Sequence, residues 1–268
     1  MKIKSPHVVR PNAKVKLSRF STDETGGFKS QQDAEPVLAK HRKTLIDMQD
    51  VFYASQKKTL LIVLQGMDTA GKDGTISHIS SGVNPQGCTV TSFKVPTPLE
   101  ARHDFLWRAH AAVPPRGMVG IFNRSHYEDI LVPYVHKLSS KKTIRQHIAD
   151  ILEFESMLAD NDVVILKFFL HISHEEQTRR LQSRIDDPDK HWKLSESDFR
   201  ERKFWDDYTD AYELLLPATS RPHAPWFVIP SDHKGYRNVA ISSILVDVMK
   251  SLNLKYPKPT MDPTKIQL

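Results

Sequence analysis

An unbroken apolar run, Leu60-Leu61-Ile62-Val63-Leu64, is followed two positions later by Gly66-Met67-Asp68-Thr69-Ala70-Gly71-Lys72-Asp73. No other feature limits the possible folds as strongly. Such a run belongs to a strand buried on both faces, as in a parallel sheet covered by helices. Two glycines with four residues between them and a lysine after the second, set between a strand and a helical pattern, have the Walker A spacing of a phosphate-binding loop. Glycines let backbone N–H groups close around phosphate oxygens, the helix N-terminus adds positive potential, and the lysine reaches the terminal phosphates. The other reading is a glycine-rich strand–helix turn with a stray lysine. Phosphate contacts are expected from Gly66, Thr69, Ala70, Gly71, Lys72, Asp73, Gly74 and Thr75. One position departs from the pattern: Asp73 stands where a Ser or Thr hydroxyl usually holds magnesium, and the Thr75 side chain is expected to face elsewhere. A carboxylate is then needed in its place, since Mg²⁺ takes one or two carboxylates together with waters and phosphates. Asp68 is preferred to Asp73, directly or through water, because a loop residue can aim at the phosphates that Lys72 holds.

Further apolar runs at Cys88–Phe93, Met118–Phe122, Val163–Leu170 and Trp226–Ile229 alternate with helical stripes. Examples are Leu38, Leu45, Met48 and Phe52 within 33–58, then Ile144, Ile148, Ile151 and Leu158, and Ile241, Ile244, Val248 and Leu252. Ser173-His174-Glu175-Glu176 has the capping-box spacing of a helix start. This alternation predicts an α/β fold of three layers, a parallel sheet of about five strands between helices. The 268 residues carry 38 Lys and Arg, 32 Asp and Glu, a net charge of +6 and one cysteine, Cys88. The balance points to a polyanionic partner, and the lone cysteine excludes an internal disulfide and fits a reducing compartment. With no apolar leader in MKIKSPHVVRP and no membrane-length apolar stretch, the chain reads as soluble and cytoplasmic. Residues 1–30 form a basic N-terminal arm, 31–254 one domain, and 255–268 a C-terminal tail. The arm reads as a solvated segment or as a strap lying near an anionic substrate or a neighbouring subunit.

The third run opens into Asn123-Arg124-Ser125-His126-Tyr127-Glu128-Asp129, at the strand end where open α/β sheets bind ligands. Asn123 takes the place of a Walker B aspartate, and Arg124 is expected in the crevice as a clamp on phosphate. His126 is not needed as a base, because an acceptor phosphate is already ionised at neutral pH. Glu128 and Asp129 read either as holders of metal waters or an acceptor base, or as a helix cap. Between Arg179 and Lys203 stand eight Lys or Arg and six acids, a mixed helical hairpin or a lid carrying Arg179, Arg180, Arg184, Lys190 and Lys193 over the phosphates. Lys94, Arg102 and Arg108 are further candidates along the phosphate path. His103 and His110 lack a third metal ligand, Cys88 reads as a buried apolar residue, and Trp107, Trp192, Trp205 and Trp226 are expected in cores or helix contacts.

The blocks GMDTAGKDGT, GVNPQG, SFKVPT and FNRSHYED between Leu60 and Leu138, with KFFLHIS and DPDKHWKLSESDFRERKFWDDY further on, resemble the polyphosphate kinase 2 family. The resemblance covers most of the chain. It implies a P-loop kinase fold related to thymidylate kinase, and Mg²⁺-dependent phosphoryl transfer between inorganic polyphosphate and nucleotides. By the same resemblance Asp68 and Lys72 are the magnesium-linked and phosphate-binding groups, Asn123, Arg124 and Arg184 join them in catalysis, and 179–203 is the lid. FNRSHYED, in place of an FxRSWYNR form, resembles the subgroup that phosphorylates both AMP and ADP to give ADP and ATP. Lys94, Arg124, Tyr127 and Glu128 are then the acceptor-nucleotide residues, with Glu128 influencing acceptor choice. A homo-oligomer, dimer or tetramer, is implied, with no nucleic-acid or membrane partner. Two other readings stay open: an ATP-dependent nucleoside monophosphate kinase of thymidylate-kinase type, and a basic nucleic-acid-binding protein with a P-loop switch.

Overall fold

The computed structural model describes residues 5–262, and the regular elements follow the hydrophobic pattern. They are α1 (Gln31–Ser55), β1 (Thr59–Gly66), α2 (Lys72–Ile79), β2 (Cys88–Ser92), α3 (Trp107–Ala112), β3 (Val119–Asn123), α4 (Glu128–Val135) and α5 (Lys141–Asp160). After them come β4 (Val163–His171), α6 (His174–Asp186), α7 (Glu196–Glu201), α8 (Trp205–Thr219), β5 (Trp226–Pro230) and α9 (Lys234–Ser251). The strands pair in parallel in the order β2-β3-β1-β4-β5. The expected three-layer α/β architecture and its five strands are thus present.

β1 is central and buried along its whole length, and its residues divide by parity. Leu61 and Val63 join Ile130 of α4, Ile151 of α5 and Leu215 of α8 on one face. Leu60, Ile62 and Leu64 join Phe52 of α1, Ile79 of α2 and Ile244 of α9 on the other. A strand sandwiched in this way has no solvent face, which is why its sequence shows no alternation. Full burial of each large aliphatic side chain contributes about 1.5–3 kcal/mol. α1 begins two residues before its expected start because Ser30 and Asp33 close a capping box.

The basic arm is not simply a solvated segment. Val9, Val15 and Leu17 are buried, Val9 N–H donates to the Trp226 carbonyl, and Val228 N–H donates to that of His7. The segment therefore covers the open edge of β5, where unpaired backbone groups would otherwise face water. Its alternation of apolar and basic residues (Val15, Lys16, Leu17) places the cations outward, with Lys16 paired to Glu213 at 2.5 Å. Lys2 and Lys4 and the last six residues of the tail lie outside the described residues.

Candidate active site

The carboxyl ends of β1, β3 and β4 share one edge of the sheet, and the loop after β1 lies there. Its path needs left-handed backbone at Thr69 (φ 64°) and Gly71 (φ 104°). At Gly71 a Cβ would stand 1.9 Å from Arg237 Nη1, so only glycine fits. Lys72, the first residue of α2, turns back and donates to the carbonyls of Gly66 (2.8 Å) and Met67 (3.1 Å). Burial, and then the neighbouring Arg124 charge, lower its pKa to about 8.

Across from the loop, Arg124 leaves β3 with φ 60°, a strained conformation for a side chain with a Cβ. Its N–H is held by the Leu64 carbonyl at 3.0 Å. Its guanidinium bridges Asp68 and Glu128, the latter at 3.2 Å. Glu128 first, and Asp68 after it, hold the guanidinium pKa above its ordinary value against the effect of burial. Asn123 donates to Asp73 at 2.9 Å, which ties the end of β3 to the start of α2.

Two cavities meet at this point. One, of about 740 Å³, is walled by Phe93, Lys94, Val95, Arg108, Glu128 and Tyr212 among others. Arg108 fixes its rim by donating to the Lys94 carbonyl (2.7 Å) and to Asp129 (3.1 Å). The other, of about 690 Å³, lies over the loop beneath the 179–203 hairpin, and its lining cations outnumber its acids more than two to one. Asp68 and Arg124 line both. One chamber is thus mixed apolar and polar, the other strongly cationic, and a carboxylate–guanidinium pair stands at their junction.

The expected residues separate into ligands-in-waiting and braces. Thr69, Gly71, Lys72, Asp73, Gly74, Arg179, Arg184, Lys190 and Lys193 line the cationic cavity, while Gly66, Lys94 and Glu128 line the other. Arg180 also borders the cationic cavity, but its guanidinium is spent on backbone. It donates to the carbonyls of Thr69 (2.9 Å), Ala70 (3.1 Å), Ser231 (2.6 Å) and Asp232 (3.0 Å), and its Nε to Glu176 (2.8 Å). Ser173 caps α6 through Glu176 N–H, but the Glu176 carboxylate serves Arg179 and Arg180 and not the cap. Arg184 pairs with Asp198 at 3.0 Å, closing the hairpin on itself.

Three expectations need correction. Tyr127 does not face the acceptor cavity: it is fully buried and bonded to Glu155 and Lys167, because helical geometry turns it inward one position before Glu128. Ala70 is likewise fully buried and borders neither cavity, and the Thr75 side chain, as expected, faces elsewhere, buried and outside both. Trp192 is not a core residue; it is 78% exposed on the hairpin, with Lys193 over its ring. The sequence reading missed Arg237 and Lys234 at the start of α9, both in the cationic wall. Burial, helped by Arg180, brings Arg237 to about 10. Their position just past the carboxyl end of β5 was the available signal. Among the described residues no group of three His, Cys, Asp or Glu is arranged to hold a metal. Asp68 nonetheless fits a hard cation that takes its remaining ligands from phosphate and water.

A glycine- and lysine-bearing loop, a junction arginine and an arginine-bearing hairpin above a five-stranded parallel sheet fit a phosphotransferase. The family model described as polyphosphate kinase 2 (PPK2) matches residues 28–257. The chain is 46% identical over 259 residues to the AMP/ADP-polyphosphate phosphotransferase of Meiothermus ruber, covering 96% of this chain and 97% of that one. It is 41% identical over 273 residues to the ADP-polyphosphate phosphotransferase of Rhodopseudomonas palustris, covering 97% and 94%. The crystal structure of polyphosphate kinase 2 from Arthrobacter aurescens superposes with a TM-score of 0.92 at 40% identity, over 98% of this chain and 96% of that one. The chain belongs to the polyphosphate kinase 2 family.

Proposed function

We propose that this enzyme transfers a phosphoryl group between inorganic polyphosphate and AMP or ADP, forming ADP and ATP. The observation that carries the reading is the pair of unlike cavities joined at Asp68 and Arg124. Polyphosphate lies in the cationic one, its terminal phosphoryl held by the loop amides, Lys72 and the hairpin residues Arg179, Arg184, Lys190 and Lys193. The nucleotide occupies the other, its base and sugar against the Phe93–Val95 wall and its phosphate beside Lys94, Arg124 and Glu128. An acceptor phosphate oxygen attacks in line, one O–P bond forms, and the bridging P–O bond breaks. The departing charge passes to the new end of the shortened chain, where Lys72 and the hairpin cations neutralise it. No general base is required, in keeping with a His126 that is buried away from both cavities. Asp68 would hold Mg²⁺, which would supply charge neutralisation to the phosphates. The resemblance also supports a cytoplasmic homo-oligomer, which sedimentation of the purified protein would test.

The decisive experiment is a donor-by-acceptor activity matrix, with polyphosphate or ATP as donor and AMP, ADP or other nucleotides as acceptor, repeated for Lys72→Ala and Asp68→Asn. Polyphosphate with Mg²⁺ should convert AMP to ADP and ADP to ATP, and each substitution should lower kcat by about a hundredfold or more. Turnover with ATP as the sole effective donor would sink the reading in favour of an ordinary nucleoside monophosphate kinase.

A further inference from the structure

Behind Arg124 lies a buried polar cluster that the reaction as described does not use. Tyr127, Glu155 and Lys167 come from the turn after β3, from α5 and from β4, and all three are closed off from solvent. Lys167 Nζ donates to Glu155 Oε2 at 2.5 Å, to the Tyr127 hydroxyl at 2.9 Å and to the Thr219 carbonyl at 2.8 Å. The Tyr127 hydroxyl donates to Glu155 Oε1 at 2.7 Å. The ring itself packs edge-on against Trp226, with centroids 5.0 Å apart. Burying an ion pair is costly, and an apolar trio of similar volume would hold a core at least as well. What the polar trio adds is direction.

That direction matters because Tyr127 immediately precedes α4. Its N–H donates to Ser125 Oγ at 3.2 Å, and the same oxygen accepts from Gln65 Nε2 of β1 at 3.1 Å. Glu128 N–H donates to the Ser125 carbonyl at 3.0 Å, and the Glu128 carboxylate holds Arg124. Arg124 is itself in a left-handed conformation, which persists only where the surroundings over-determine it. A phenylalanine at 127 would set the depth of the ring in the core. The hydroxyl lies on the ring axis and is held by groups from two further elements, so it also fixes the direction of that axis, and with it the phase of the first turn of α4.

We infer that Tyr127, anchored by Glu155 and Lys167, is a positioning residue that fixes Arg124 and Glu128 at the junction of the two cavities. The inference rests on the assignment of Arg124 to the reacting phosphates. Burial holds Lys167 below its ordinary value, against the pull of Glu155. Burial also pushes Glu155 upward, but Lys167 and His126 outweigh it and hold the carboxyl below its ordinary value. The anchor is closed by geometry, each of the three Lys167 donors having its own acceptor.

The test is a double-mutant cycle between Tyr127→Phe and Arg124→Ala, read as kcat and KM for each substrate. In the wild-type background, Tyr127→Phe should lower kcat between about tenfold and a hundredfold with KM for polyphosphate unchanged. In the Arg124→Ala background the same substitution should change kcat by less than about twofold, because the group through which it acts is gone. An equal loss in both backgrounds, or no loss in the wild type, would mean that the hydroxyl only stabilises the core, and the inference falls. An Arg124→Ala enzyme as active as wild type would instead overturn the assignment of Arg124, and the inference with it. Should Tyr127→Phe not fold, Glu155→Gln replaces it in the same cycle under the same criteria, since it keeps the side-chain volume and an acceptor for the hydroxyl.

Discussion

Lys72 shows at one residue how binding competes with stability. Burial and the neighbouring Arg124 charge bring it to about 8 in the folded protein from the ordinary lysine value of 10.5, so the unfolded chain binds the proton more tightly. A lysine lowered in this way weakens the folded state below about pH 8 and ceases to do so once both states are deprotonated. Stability therefore rises with pH through that window. Between pH 7 and 9 the ligand-free wild type should gain on the order of 1 kcal/mol over Lys72→Met in denaturant-derived unfolding free energy. Over the same range KM for polyphosphate should climb, since the neutral amine holds phosphate poorly. A wild-type stability that stays parallel to the variant's would show that Lys72 is not desolvated. Gly71→Ala tests the loop in another way. With φ at 104° and Arg237 Nη1 1.9 Å from the added methyl, it should cost about 1–3 kcal/mol and displace Arg237 from the cationic wall. Thermal melts and polyphosphate titration would register both effects.

The elements around the site divide into those that present charge and those that hold the presenting loop still. Arg179 and Arg180 are adjacent on α6 but do different work. Arg179 is 72% exposed in its side chain, whereas Arg180 ties the phosphate loop to the β5–α9 turn through four carbonyls. Arg179→Ala should leave unfolding free energy within about 0.5 kcal/mol and raise only KM for polyphosphate. Arg180→Met should cost about 2–4 kcal/mol, since it strands buried carbonyls and Glu176, and lower kcat as the loop loosens. Equal stability of the two variants would contradict the division. In the sequence the two arginines look alike, because helical phase alone puts both near the same cavity. Which one turns toward the loop depends on where β5 ends and α9 begins, about fifty positions away.

At the scale of the whole molecule, charge is sorted toward one cavity and the open sheet edge is covered by the chain's own N-terminal segment. KM for polyphosphate should rise several-fold as ionic strength increases, and KM for the nucleotide much less, because only the first ligand lies along a multiply charged wall. Removal of residues 1–22 would strip Val9, Val15 and Leu17 from the core and leave the outer edge of β5 uncovered. A loss of about 5 kcal/mol and concentration-dependent association are expected, measurable by melting and light scattering. A truncated protein with unchanged stability would refute the role of the arm as an edge cover.

The sequence alone determined what depends on neighbours in the chain. The unbroken run at 60–64 gave a two-sided strand, and the glycine–lysine spacing gave the tight turn into α2. The β3 exit supplied Arg124, and the alternation of patterns supplied the parallel sheet. These are local because period, cap and turn chemistry act over a few residues. Tertiary structure decided which of those residues line a cavity. Tyr127 turned into the core, Arg180 became a brace, the basic arm became an edge cover, and Arg237 and Lys234 entered the site from the far end of the domain. Only the folded chain can make those assignments, because a side chain's role depends on the desolvation and hydrogen-bond partners it meets, and here the partners come from elements far apart in sequence.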